Sequence, residues 1–477
     1  MTRMLIENVD YLLTVDAHNT VLQHASLVIE DSRIAALGPA HEIAGRYRGV
    51  VFDRVIDGRH TLLMPGLVEA HVHLYEEFSR GLFPDNLSTR PWVFNWAKPF
   101  YAAVDEESEH WSTLLACLEM IKTGTTCFLD MGSQNDAGIT ARAAEQAGLR
   151  GIVGRHAADV KPEVIPPYWS EEMVAHHFFR DADEALAALE ECVHRWNGYA
   201  DGRIRCWVNI EGKEPCSPQL HKGARELAAR LGVGTTYHIA SSIEEARVSE
   251  KKYGMWPVQR LAQMGALGPN LVLAHAVALK DEEVALLAGH GTKVAFCPGT
   301  SLKIAKGATR IGKYPEMLAA GVTVALGCDG VSAAGALDMM RQLYLVAGLF
   351  KDARMDAEMI PATQAVRMAT INGAQALLWD DEIGSVEVGK RADLIMFDLE
   401  QVEWVPCHDP VQTLVYAATG SSVKNTIING TLVMEKRKVL TLDEEEILEQ
   451  ARRLAPRVVE RAGLKRGLTP VTTTLYD

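Results

Sequence analysis

Two histidines, His71 and His73, stand two residues apart at the end of the run Pro65-Gly66-Leu67-Val68-Glu69-Ala70. In a strand, residues i and i+2 share a face, so both imidazoles can converge on one metal ion. The residues Thr61 to Val68 read as a turn delivering a buried strand. Three further donors close or follow other apolar runs: His238 after Thr235-Thr236-Tyr237, His275 after Leu271-Val272-Leu273-Ala274, and Asp329 after Val322 to Gly327. Imidazole and carboxylate donors suit a divalent metal, with zinc the default and iron, cobalt or manganese compatible. Such an ion lowers the pKa of bound water from about 15.7 toward about 7, giving a nucleophile at neutral pH. Asp329 is placed to accept that water's proton and return it to a leaving group.

For these donors to meet, the strands that carry them must lie side by side. Between His71 and about residue 380, short apolar runs alternate with amphipathic stretches. Strands are expected at Thr126–Asp130, Gly151–Gly154, Arg205–Ile210, Gly234–His238, Leu271–His275, Thr292–Phe296 and Val322–Gly327, and the strand ending at His71 makes eight. Helices are expected at 109–122, 181–195, 220–231 and 281–289. This rhythm predicts an α/β fold, a (β/α)8 barrel whose catalytic groups gather at the strands' carboxyl ends.

Residues 1–60 and 381–440 carry turn-separated strand patterns instead, as in Arg33-Ile34-Ala35-Ala36-Leu37 and Asn425-Thr426-Ile427-Ile428. The expected organisation is an N-terminal part of a β-sandwich (1–60), a metal-dependent catalytic barrel (61–380), the C-terminal part of the sandwich (381–440), and a helix with a tail (441–477). Residues 444–461 place acidic residues first and arginines later, the order a helix dipole favours. The end of the tail, from Thr469, reads as a loosely held arm.

Composition bounds the partners. A formal charge of −14 without any basic block argues against nucleic acid and leaves a small-molecule substrate. With 48% hydrophobic and 23% charged residues the chain has an ordinary globular composition. No run approaches the ~20 apolar residues of a membrane span, and the N-terminus lacks a cleavage pattern, which predicts no membrane association and a cytoplasmic location. The eight cysteines are dispersed without a close Cys-x-x-Cys pair, so buried thiols are expected rather than disulfides or a thiolate zinc site.

The ordered segments MPGLVEAHVHLYEEFSRG, KTGTTCFLDM, TYHIASS, LVLAHAVALKDEEVALLAGHGTKVAFCPGTSLK, VTVALGCDGVSAAGALDMMRQ and GSVEVGKRADLIMFDL resemble the amidohydrolase superfamily along almost the whole chain. The branch they are similar to includes triazine chlorohydrolases, guanine and thioadenosine deaminases, and phenylurea and thiocarbamate hydrolases. The resemblance implies a barrel flanked by a sandwich made from both termini. It also implies metal or catalytic roles for His71, His73, His238, His275 and Asp329, and a homodimer.

Set against that family, two positions depart. Its aromatic-ring deaminases place a glutamate three residues after the strand-five histidine, where this chain has Ser241, whose hydroxyl cannot replace a carboxylic acid as proton donor. Deaminases of the branch also place a histidine before the Cys-Pro of strand seven, where this chain has Phe296. Both departures weigh toward a carbonyl substrate: hydrolysis of a non-peptide C–N bond in a small amide, urea or carbamate by metal-activated water. The alternative is removal of an amino group or halide from a purine, pterin or triazine-like ring. A homologue that binds a ligand without turnover is the non-enzymatic alternative. Some family members bridge two metals with a carboxylated lysine or a glutamate after strand four, and Asn209, Glu211 and Lys213 share strand parity there. Glu211 or Lys213 is therefore a further ligand candidate, and the centre holds one or two ions.

At the substrate end, the segment after His73 carries Tyr75, Phe78, Phe83, Trp92, Phe94, Trp96 and Phe100. It would wall the metal with aromatic surface, Trp92 included. His156, after strand three, is expected at the barrel mouth, where it would stabilise a developing oxyanion or orient a neighbour. Ser241, Thr300 and Ser301 are candidate substrate contacts, and Arg80 an orienting group or a surface ion pair. Neither a serine-hydrolase elbow nor a phosphate-binding glycine loop accompanies these hydroxyls.

Overall fold

The computed structural model describes residues 2–166 and 169–464. The arm from Thr469 onward lies outside them.

Eight parallel strands form the barrel: Leu67–Val72, Thr125–Asp130, Arg150–Gly154, Ile204–Asn209, Thr235–Ile239, Leu271–His275, Lys293–Phe296 and Val324–Leu326. Neighbours pair in sequence order, each in parallel register. The eighth strand returns to the first through Asp329, whose N–H donates to the His71 carbonyl at 2.8 Å. Glu69 seals the same seam: its buried carboxylate accepts the N–H of Cys328 at 2.8 Å and that of His71 at 3.1 Å. Burial pushes this carboxyl up to about 8 despite those bonds.

The predicted helices are present, with ends fixed by capping chemistry. The first runs Glu106–Thr123 rather than from 109, because Asp105 accepts the Ser108 N–H at 2.9 Å and starts it earlier. It stops at Gly124, whose φ of 93° suits a residue without a β-carbon. The C-terminal helix spans Glu444–Arg461, capped by Asp443.

The two chain ends do pair, in one mixed nine-stranded sheet separate from the barrel. The joint is Thr61–Pro65 running antiparallel to Leu394–Asp398. One apolar cluster, including Ile6, Leu27, Ile56, Leu394 and Ile427, draws on strands from both ends and explains why they must meet. A buried ion pair fastens this sheet to the barrel: Arg150 on the third barrel strand reaches Asp393 at 2.7 and 3.1 Å. Among the described residues no helix is long and apolar enough to cross a membrane, and the eight cysteines are free thiols.

Candidate metal centre

Four of the eight strand ends deliver the predicted donors to one point. Donor atoms of His71, His238 and His275 lie within 4.8 Å of one another, as do those of His71, His73 and Asp329, and of His275, Cys297 and Asp329. Asp329 is the hub, its Oδ1 at 3.2 Å from His73 Nε2 and 3.5 Å from His71 Nε2, and its Oδ2 at 3.7 Å from His275 Nε2. His238 Nε2 lies 3.4 Å from His73 Nε2.

Burial and protonation fit a metal ligand set. The His71 ring is fully buried, yet neither of its nitrogens has a hydrogen-bond partner. Such an orphaned imidazole costs free energy unless something else takes up its lone pair, which a metal ion would do. Burial pushes His71, His238 and His275 below the usual histidine range, keeping them as the neutral donors a metal requires. His73 moves the other way: burial lowers it, but Asp329 and Glu76 more than reverse this. Burial likewise raises Asp329, and the rings of His71, His73 and His275 outweigh it, holding the carboxyl well below the ordinary range. The ligand set accommodates one or two divalent ions, with two donor groups sharing Asp329.

Backbone conformation aims these groups. His275 and Asp329 adopt left-handed φ values of 73° and 69°, uncommon for residues with a β-carbon. Hydrogen bonds hold both: the Tyr314 hydroxyl donates to the His275 carbonyl at 2.7 Å, and the Asp329 N–H is fixed by His71. Glu76, buried beside His73, accepts from the hydroxyls of Tyr101 and Ser332 and leaves no room for a β-carbon at Gly330.

Glu211 and Lys213 are not brought into this group. The Glu211 carboxylate turns away to the buried ammonium of Lys98 and lies 3.6 Å from His156 Nε2. Burial pushes Glu211 up, but Lys98, helped by His156, reverses this and holds it at about 2. Lys213 extends toward Glu245, 3.6 Å away, which in turn accepts the N–H groups of Ala240 at 2.6 Å and Ser241 at 2.8 Å. Strand parity put both on the right face; a buried lysine from the segment after strand one redirects one of them, and the glutamate capping strand five the other.

The remaining predicted residues are placed as follows. His156 lies after the third strand with an unpartnered Nε2, and burial pushes it down to about 4, so it is a neutral imidazole. The Ser241 hydroxyl is buried and unpartnered. Thr300 donates to the Cys328 carbonyl at 3.3 Å, and Ser301 accepts from the Ala308 N–H at 3.2 Å, so both brace loops. Trp92 packs edge-on against Phe83, centroids 5.4 Å apart, inside the aromatic cluster that follows strand one. Arg80 forms an ion pair with Glu77 and Glu119.

Two buried groups at the centre lack a periodic signal or were obscured by their neighbours. Lys306, in the loop after the seventh strand, places Nζ 3.0 Å from His275 Nε2, and burial pushes it down to about 8. No strand or helix pattern in the sequence aims it there. Glu69 shares parity with His71 and His73, so the strand pattern alone puts it on the same face.

Sequence and structure comparisons agree with this geometry. Residues 62–433 match the family model described as Amidohydrolase family. The chain belongs to that family. This amidohydrolase is 34% identical over 459 residues to a 5-methylthioadenosine/S-adenosylhomocysteine deaminase of Desulforamulus reducens, covering 96% of this chain and 99% of that protein. It is 34% identical to a 5'-deoxyadenosine deaminase of Methanosarcina barkeri, covering 97% and 99%. The solved structure of an adenosine deaminase from Xanthomonas campestris with bound zinc superposes with a TM-score of 0.84 at 29% identity, covering 96% and 99%. The amidohydrolase is thus a metal-dependent hydrolase acting on a carbon–nitrogen bond.

Proposed function

We propose that this amidohydrolase removes the exocyclic amino group of a nitrogen heterocycle by hydrolysis, with adenine nucleosides altered at the 5' position as its substrate class. The observation that carries the reading is the convergence of His71, His73, His238, His275 and Asp329 in a chain similar end to end to nucleoside deaminases. The sequence alone weighed toward a carbonyl substrate; the relatives move the aminated ring ahead of it.

When bound, a divalent metal would acidify and orient the attacking water. His71 and His238, kept neutral by burial, would hold it together with His73, which would give up its proton on binding, and Asp329 would be the anionic member of the set. Asp329, kept as a carboxylate, accepts the water's proton and returns it to the amino nitrogen as the C–N bond breaks. Tyr75 and Tyr101 lie beside His73, ring centroids 5.6 and 6.4 Å away, and the buried aromatic cluster they belong to would roof the centre, excluding water and favouring a flat substrate. Neutral His156, whose Nε2 makes no hydrogen bond and lies 3.6 Å from Glu211, would hydrogen-bond a polar substituent of the substrate.

A second reading, hydrolysis of an amide, urea or carbamate, keeps the support of Ser241 and Phe296. The first is a neutral hydroxyl and the second an apolar ring stacked on Tyr314 at 3.7 Å, so neither supplies an acid for a ring nitrogen. Product analysis separates the two. Zinc-loaded enzyme incubated with 5'-deoxyadenosine, 5'-methylthioadenosine, S-adenosylhomocysteine and a panel of ureas and carbamates is expected to release ammonia from a nucleoside. Release of an amine with a carboxylate-derived fragment, and no ammonia, would reverse the order.

A further inference from the structure

Lys306 is a charged side chain with no place in the reaction as described so far. Its side chain is buried, and Nζ lies 3.0 Å from His275 Nε2. The loop that carries it is built: the Lys306 N–H donates to the Ser301 carbonyl at 3.0 Å, the Ser301 hydroxyl accepts from Ala308, and Ala305 takes a φ of 52°. Two observations and one electrostatic principle bear on why a cation is kept there. The group formed by His275, Cys297 and Asp329 is where a second ion would sit, and Nζ lies against its histidine. Two cations cannot share that space without strong repulsion. Ser241, just after strand five, and Phe296, at the end of strand seven, offer no charge.

We propose that Lys306 stands in place of a second metal ion: its ammonium donates to the substrate atom that gains negative charge, and it limits the centre to one divalent ion. The inference rests on the heterocycle reading. As water oxygen bonds to the ring carbon, its proton passes to Asp329 and the C=N electron pair moves onto the ring nitrogen, where the Lys306 ammonium meets it. That pair then returns to re-form the C=N bond. The C–N bond to the amino group breaks with its electrons on the departing nitrogen, which takes the proton from Asp329 and leaves as ammonia.

The test combines metal counting with kinetics on the full chain. Wild-type protein saturated with zinc and freed of excess is expected to hold one equivalent by elemental mass spectrometry; two equivalents would overturn the proposal. Lys306→Met is expected to keep at least one equivalent, with kcat down about 100-fold or more and KM changed much less. Lys306→Arg, which keeps the charge, should recover part of the rate. A Lys306→Met enzyme with wild-type kcat would overturn the proposal. So would one that loses its zinc, since the lysine would then be supporting the ligands rather than the substrate. If no aminated heterocycle is turned over, the substrate reading falls, while the zinc count and the effect of Lys306→Met on whichever substrate is hydrolysed still decide the role of Lys306.

Discussion

At the scale of the residue, the proposed function gives His71 a metal-binding role and Asp329 the proton transfer. Asp329→Asn keeps size and an oxygen donor but removes the base. The expected outcome is a loss of about a thousandfold in kcat with the fold intact, checked by steady-state kinetics beside circular dichroism. His71→Ala should instead lose zinc, read by elemental analysis after dialysis. Glu211 gives a pH signature of its own. Its folded pKa of about 2 lies below the unfolded value of about 4.3, so its contribution to stability is full above that value and lost as pH falls toward 2. Glu211→Gln leaves the Lys98 ammonium buried without its partner and should cost about 3 kcal/mol at pH 7 in urea unfolding. That difference should shrink below about pH 4.3. The five donors were legible because each ends or follows a strand, and strand ends of a barrel share one mouth. Glu211 and Lys213 have the same placement, and what sends them elsewhere is tertiary: Lys98 and Glu245 come from other elements. Lys306 was illegible for the complementary reason, since a loop residue's direction is fixed by contacts and not by period.

The elements around the centre show how the aromatic cluster proposed as its roof is held. Leu454 and Val458 of the C-terminal helix are buried in one cluster with Tyr75, Phe83, Trp92 and Phe100. Arg461 adds an ion pair to Asp105 at 2.5 Å, at the start of the helix that follows the roof. Charge order in the sequence predicted this helix and its limits, because acidic residues first and arginines later are a local feature. Which face it buries, and against what, depends on a partner more than three hundred residues away, so the sequence showed only a surface helix. Leu454→Ala should destabilise the protein by about 2–4 kcal/mol in urea. Hydrogen exchange should then rise first in residues 75–104, with the barrel strands still protected. Equal loosening of the barrel would contradict this assignment of the helix.

Across the whole molecule, the barrel depends on the sheet made by the chain ends. Arg150 and Asp393 are each about 2% exposed and bonded at two points, and Asp393 also accepts the Asn429 N–H at 2.7 Å. Removing one partner of such a pair leaves an uncompensated buried charge. Asp393→Asn is expected to lower stability by about 3–5 kcal/mol, measured by chemical unfolding. Turn-separated strand patterns at both ends announced that some sheet would form there. The joint between Thr61–Pro65 and Leu394–Asp398, which turns two pieces into one sheet, carries no marker in either segment, since both read simply as buried strands. The central claim concerns the molecule's chemistry, and isotope labelling tests it most directly. In 18O-labelled water, zinc-loaded enzyme acting on 5'-deoxyadenosine or 5'-methylthioadenosine should place one labelled oxygen on the ring carbon and release an equimolar amount of ammonia. Zinc removal or Asp329→Asn should abolish both. Nucleosides recovered unlabelled, with label entering only the carboxylate-derived fragment of a urea or carbamate, would contradict the account.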